Sequence, residues 1–563
     1  MASCVAGLLF FCLISGICFT EIAATVKGKG VSQPTVVTKS GKLKGKLLKV
    51  KGTDRQVEAY YGIPFAKPPV GPLRFAPPQP AEPWKGVRDA TAYPPMCLQV
   101  PEISETIEKV TKANYPPLSN SEDCLYLNVY TPAQRNKKSQ LPVMVWIHGG
   151  AFLGGAGSVY DGSALSAYEN VVMVSIQYRL GVLGLFSTGD ENASGNWGLL
   201  DLLSALHWVQ DNIEDFGGDP HSVTAFGESA GGISVSTLML SPLSKGLFQK
   251  AISESGAAFI PGFIVSDPEL IAQVAQSVAS KNGCGGTDSA AMVKCLREKK
   301  AEELLDPTLI NRIPNLPIVV DGVFLLKNPD ELEPGEANPI PYMLGVCEQE
   351  FGWLLPILSK AEVLLQERSR EDVISSLEDS TLFQGPYAKI FPLVKEEYFG
   401  DTEDPSQLRD LVLELYADII FVIPTVKAAR YYRDSGLPVY LYEFKHRPST
   451  YGDSKPDFVT ADHMDEIGFV LGGPFLPTEV SLLSVATDEE KSLSRKMMKY
   501  WTNFARTGNP NGDGLEKWPV YDHREQYLEL NLKQKTETKL KDHRVTFWTK
   551  TLPQAVQQKK TEL

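Results

Sequence analysis

The sequence predicts an α/β fold: a large, mostly parallel central sheet with helices on both faces and helical insertions. Three observations predict it. Short runs rich in Val, Ile, Tyr and Phe alternate with longer runs of helical apolar spacing. Several short runs are apolar throughout, as strands buried on both faces are. One of them enters a glycine-rich turn, Gly227-Glu228-Ser229-Ala230-Gly231, and a helix-like run follows.

The expected strands are Gln56 to Tyr61, Cys124 to Tyr130, Val143 to Ile147, Val171 to Tyr178, Val223 to Phe226, Ala251 to Ser253, Tyr342 to Val346 and Val439 to Phe444. Leu199 to Ile213 and Glu489 to Ala505 carry helical spacing. Strands alternating with helices imply a parallel sheet covered on both sides. Pro64 to Pro83 is rich in Pro and Gly and reads as an ordered surface loop. There is no internal repeat, low-complexity tail or clear linker. The expected organisation is a leader at 1–24, one α/β domain at 25–559, and a short address at 560–563. Helical insertions are expected between about Pro261 and Pro339 and between about Leu354 and Ala428.

The chain of 563 residues holds 55 Lys and Arg against 68 Asp and Glu, a net charge of −13. An acidic chain is a poor ligand for nucleic acid or an anionic membrane. Its 43% apolar content is ordinary for a globular protein, which excludes the disordered and fibrous classes.

Leu8 to Phe19 is an apolar run of signal-peptide length, and Ala23 and Ala24 offer a cleavage point, although no Lys or Arg precedes the run. No later stretch has the apolar length of a transmembrane helix. The C-terminus, Lys560-Thr561-Glu562-Leu563, is one substitution from the Lys-Asp-Glu-Leu address read by a receptor of the endoplasmic reticulum. Of eight cysteines, Cys4, Cys12 and Cys18 fall in the leader. In an oxidising lumen, Cys97–Cys124 and Cys284–Cys295 are plausible sequence-local bridges, leaving Cys347 as a free thiol. Asn192-Ala193-Ser194 is a glycosylation sequon.

A serine hydroxyl is a poor nucleophile unless it is exposed and has a base beside it. A sharp strand-to-helix turn exposes Ser229, and glycines at 227 and 231 let strand and helix approach closely. Gly-x-Ser-x-Gly alone recurs by chance; the flanking strand and helix give it weight. A second strand runs into His148-Gly149-Gly150-Ala151-Phe152. Tight glycines there can aim backbone N–H groups at an oxygen that gains charge when a carbonyl is attacked. The expected donors are Gly150, Ala151 and Ala230. His148 precedes the nucleophile and reads as scaffold.

The chain order for such a turn is Ser, then an acid, then His. The downstream histidines are His446, His463, His523 and His543. His463, in a polar loop after a strand, is favoured. For the acid, Glu348 and Glu350 both follow the strand ending at Val346, and chemistry alone does not separate them.

These residues resemble the type-B carboxylesterase and cholinesterase family, which has the α/β-hydrolase fold. Phe216-Gly217-Gly218 with Gly227 to Gly231 looks like its nucleophile signature, with Ala225 a small departure. Glu122 to Pro132 looks like its second signature. The resemblance implies Ser229 as nucleophile, Glu350 as acid and His463 as base, and it supports both disulfides. Ala151 stands for a glycine of the family's oxyanion loop, and Met464 stands where many relatives have Gly. Ser494 to Trp501, Asn503 to Arg506, Gly508 to Gly512 and the C-terminal address look most like the vertebrate carboxylesterase 2 branch. The implied activity is hydrolysis of small-molecule carboxylic esters, xenobiotic and lipid, through an acyl-serine, with no metal or organic cofactor. The retention receptor is the implied partner, and neither nucleic acid nor a membrane span is expected. A different class shares the fold: adhesion modules in which the nucleophile is usually replaced.

Overall fold

The computed structural model describes residues 33–101, 105, 108, 109, 112, 115–135, 138–311, 316–354, 368–383, 387–476, 482, 483 and 485–561. The expected leader and the final Glu562 and Leu563 lie outside them. Eleven strands among the described residues form one sheet. In chain order they are β1 (Lys46–Lys49), β2 (Gln56–Pro64), β3 (Tyr126–Pro132), β4 (Leu141–Ile147), β5 (Val172–Ile176), β6 (Gly218–Glu228), β7 (Lys250–Glu254), β8 (Tyr342–Cys347), β9 (Val439–Phe444), β10 (Gln526–Leu530) and β11 (Lys535–Thr538). Their spatial order is β11-β10-β9-β8-β7-β6-β4-β5-β3-β2-β1. The seven strands from β10 to β5 run parallel, and antiparallel pairs close both edges.

Side-chain alternation explains why the central strands are apolar throughout. In β4, Val143, Val145 and Ile147 face one layer, while Met144 and Trp146 face the other. The first layer is filled by α1 (Trp197–Asn212), through Leu199, Leu202, Leu206 and Val209, and by α2 (Ala230–Leu240), through Val235, Leu238 and Met239. The second is filled by a long helix, Asp488–Thr507, which buries Leu493, Met497, Trp501 and Phe504. That helix opens with a capping box between Thr487 and Glu490 and stops at Gly508, which has φ +75°.

Further helices stand between the strands. Pro268–Lys281 and Ser289–Glu298 lie between β7 and β8. Arg370–Glu378, Phe391–Phe399, Pro405–Ala417 and Ile423–Asp434 lie between β8 and β9, and a π-helical turn over Asp418–Val422 joins the last two. No helix among the described residues is long and apolar enough to cross a membrane.

Disulfides join Cys97 to Cys124 and Cys284 to Cys295, and Cys347 is a buried free thiol. The first bridge closes a separation of 27 residues that includes part of a cavity wall. Loop-closure entropy gives it about 3.5 kcal/mol of stabilisation. Replacing both Cys97 and Cys124 by Ala is expected to lower unfolding free energy by about that amount, measured by denaturant titration without reductant.

Candidate active site

Ser229 sits between the end of β6 and the start of α2, with φ +55° and ψ −123°. A non-glycine residue there is strained by roughly 1–3 kcal/mol, so surrounding structure must impose it. The imposition is visible. A side chain at either Gly227 or Gly231 would run into the Ile147 carbonyl at the end of β4. The Ser229 N–H donates to the Glu254 carbonyl at 2.8 Å, and Ile233 N–H donates to the Ser229 carbonyl at 2.8 Å. The helix thus turns off the strand within one residue, leaving the serine half-buried at the bend.

The loop after β4 lies against this bend. A Cβ at Gly149 would come within 3.0 Å of the Ser229 Cβ. Gly150, Ala151 and Phe152 follow with φ of +109°, +56° and +59°. The Gly150 carbonyl accepts from Leu153 and Gly154, which folds the loop tightly. Ala230 opens α2, so its N–H has no acceptor inside the helix. His148 is buried, stacks on Tyr178 at 4.5 Å, and its Nδ1 lies 2.8 Å from the Gly149 carbonyl. Burial pushes its pKa down to about 4, so it is neutral at pH 7.

Glu350 and His463 meet across 113 residues of chain: His463 Nδ1 lies 2.6 Å from Glu350 Oε2. The other Glu350 oxygen accepts from Ser255 Oγ at 2.8 Å and from the Cys347 N–H at 2.7 Å. All of these groups are buried. Asp462 ties the two turns together by accepting from the N–H groups of Gly352 and Trp353. The Trp353 indole donates to the His463 carbonyl at 2.9 Å, and Phe421 lies 4.6 Å from the imidazole, ring to ring. Glu348 instead pairs with Lys445 at 2.9 Å. His446 contacts Glu490 at 3.0 Å, His543 is exposed beside Glu397, and His523 is exposed. The sequon residue Asn192 donates its amide to Ser289 Oγ at 3.0 Å.

The sequence profile of the carboxylesterase family matches residues 32–548. The chain belongs to the carboxylesterase family. It is 51% identical over 547 residues to a medium-chain fatty acyl-CoA hydrolase precursor of Anas platyrhynchos, covering 96% of each chain. It is 49% identical to the cocaine esterase of Homo sapiens, with 94% of each chain covered. Liver carboxylesterase 1 of Oryctolagus cuniculus is 47% identical, with 94% of this chain and 95% of the relative covered. The protein is a serine hydrolase of carboxylic esters on an α/β-hydrolase fold.

Three residues around the imidazole of this carboxylesterase escaped sequence reasoning: Glu228, Ser255 and Phe421. Only Glu228 had a local signal, as the residue beside the serine in the Gly-x-Ser-x-Gly turn. Its carboxylate is buried, and one oxygen lies 2.9 Å from His463 Nε2. That contact lacks hydrogen-bond alignment, and neither Glu228 oxygen has a hydrogen bond among the described residues. The pair is therefore a buried ion-pair contact without a hydrogen bond. Burial pushes the His463 pKa down, but Glu228 and Glu350 outweigh burial and hold it well above the usual histidine value. Deeper in, burial and the charges of Glu228 and Glu350 push Glu466 up to about 8. The Cys347 thiol lies 3.2 Å from Glu466.

A cavity of about 540 Å³ opens beside this centre. Gln99, Tyr115, Val159, Tyr160 and Met464 line it together with the backbone of Gly149 and Gly150. Its charged residues, Glu105 and Glu108, are both acidic.

His463 has a folded pKa above its unfolded one. Its stabilising contribution is full below the unfolded value and is lost as pH rises through the raised folded value. Glu228→Gln removes one of the two carboxylates responsible. The His463 imidazole is expected to titrate at lower pH in that variant than in the wild type, read from its Cε1–H resonance by NMR.

Proposed function

We propose that Ser229 is the nucleophile, His463 the general base and Glu350 the orienting acid of ester hydrolysis through an acyl-serine. The observation that carries this reading is the buried 2.6 Å contact between His463 Nδ1 and Glu350 Oε2. With Nδ1–H donated to Glu350, Nε2 is the nitrogen that acts as base once the imidazolium held by the two carboxylates has given up its proton. Nε2 takes the Ser229 proton as Oγ attacks the ester carbonyl. The imidazolium then lies between Glu350 and Glu228, and both carboxylates stabilise it.

The oxyanion is held by N–H groups of Gly150, Ala151 and Ala230, each worth roughly 3 kcal/mol in the transition state. The imidazolium returns its proton to the departing alcohol. Water enters by the same route and frees the acid. The strained backbone at Ser229 and along the Gly150–Phe152 loop supports this reading, because strain of that kind gathers at active sites. An adhesion role for the chain is not favoured, since its relatives carry hydrolase names.

Sequence resemblance supports a position near vertebrate carboxylesterase 2. The N-terminal apolar run and the C-terminal tetrapeptide support residence in the lumen of the endoplasmic reticulum, with a retention receptor as partner. Asn192 would carry the glycan if its amide leaves Ser289 during synthesis.

Ser229→Ala is expected to keep the wild-type melting temperature, lose organophosphonate labelling, and lower ester kcat/KM by roughly 10⁴-fold or more. Retained turnover would refute the nucleophile assignment. Deleting Lys560 to Leu563 is expected to move the protein from the cell interior to the medium, measured by esterase activity in each fraction.

A further inference from the structure

The turn that presents His463 breaks the rule for its own shape. The Asp465 N–H donates to the Asp462 carbonyl at 3.0 Å, closing a four-residue turn with His463 and Met464 at its centre. Met464, the second central residue, has φ +73°. A turn with positive φ there favours Gly or Asn, because a Cβ crowds the neighbouring carbonyl. The turn holds a long side chain all the same. It is clamped by the Asp462 N–H donating to Asp465 Oδ2 at 2.8 Å and by Lys455 pairing with Asp465 at 2.7 Å, both partners buried. A local rule broken beside a reacting centre marks a side chain with a use.

The cavity shows what the use is. Met464 is half-buried on its wall and shares it with Gly149 and Gly150. Gly149 lies against Ser229. Met464 and the loop that packs against Ser229 therefore share one cavity. The leaving alcohol must receive its proton from His463, so its carbinol carbon lies on the imidazole side, and the turn that holds the imidazole also carries Met464.

We propose that Met464 is a specificity-determining residue for the alcohol half of the ester. It limits branching at the carbinol carbon, so that esters of primary alcohols are cleaved and those of tertiary alcohols are excluded. This rests on the assignment of Ser229 and His463 above. A thioether side chain is flexible, so the limit is graded, with secondary alcohols intermediate.

The test measures kcat/KM by acid release for n-butyl, sec-butyl and tert-butyl acetate. A parallel series holds the n-butyl alcohol and varies the acid as acetate, isobutyrate and pivalate. Wild type, Met464→Gly and Met464→Ala are compared. Both variants are expected to raise the tert-butyl to n-butyl ratio by about tenfold or more, the scale of one or two methyl groups in a pocket, and to leave the acyl ratios unchanged. The thermal midpoint of Met464→Gly is expected at or above wild type, and that of Met464→Ala below Met464→Gly, because only glycine adopts this φ freely. Unchanged alcohol ratios in both variants, or a change in the acyl series alone, would overturn the proposal. Failure of the underlying assignment looks different: Ser229 would resist a fluorophosphonate, and Ser229→Ala would retain turnover, whatever the Met464 variants do.

Discussion

The site depends on one close approach. Gly227 and Gly231 both abut the Ile147 carbonyl at the tip of β4, with no room for a side chain on either. That contact forces the chain to leave β6 and enter α2 within a single residue, and it sets Ser229 at φ +55°. It also brings the loop after β4 onto the bend, so Ser229 and the Gly149–Phe152 loop share one anchor. The parallel order of β4, β6, β7 and β8 then places the carboxylate of Glu350 on the same edge of the sheet.

Around that anchor the protein concentrates buried carboxylates about a single imidazole. Glu228 and Glu350 flank His463, and Glu466 lies behind them. Burial alone would keep His463 neutral; the two flanking charges reverse that balance. An imidazole so placed favours its protonated form, and a higher pH is needed to free it.

The central strands and the two helices legible in the sequence all lie in the interior of the sheet or directly upon it, where two-sided burial writes an apolar run. The edge strands β1 and β11, and β10 beside the edge, did not show. Lys46–Lys49 and Lys535–Thr538 carry lysine and threonine and pair through their backbones, so side-chain pattern holds little trace of them. The choice between Glu348 and Glu350 was likewise closed to sequence chemistry. Glu348 continues the ladder and meets Lys445, whereas Glu350 folds back to accept the Cys347 N–H and so points inward. Ser255 and Phe421 reach Glu350 and His463 from separate elements, without a motif to mark them.

The sequence by itself determined what neighbours in the chain decide: the alternation of strand and helix, the glycine spacing of the bend, the serine it carries and the cysteine pairs closest along the chain. Only tertiary structure decided which carboxylate faces His463, that Glu228 lies against its other nitrogen, and that Met464 turns into the cavity. Those outcomes depend on burial and on partners more than a hundred residues away, and short-range pattern carries no record of either.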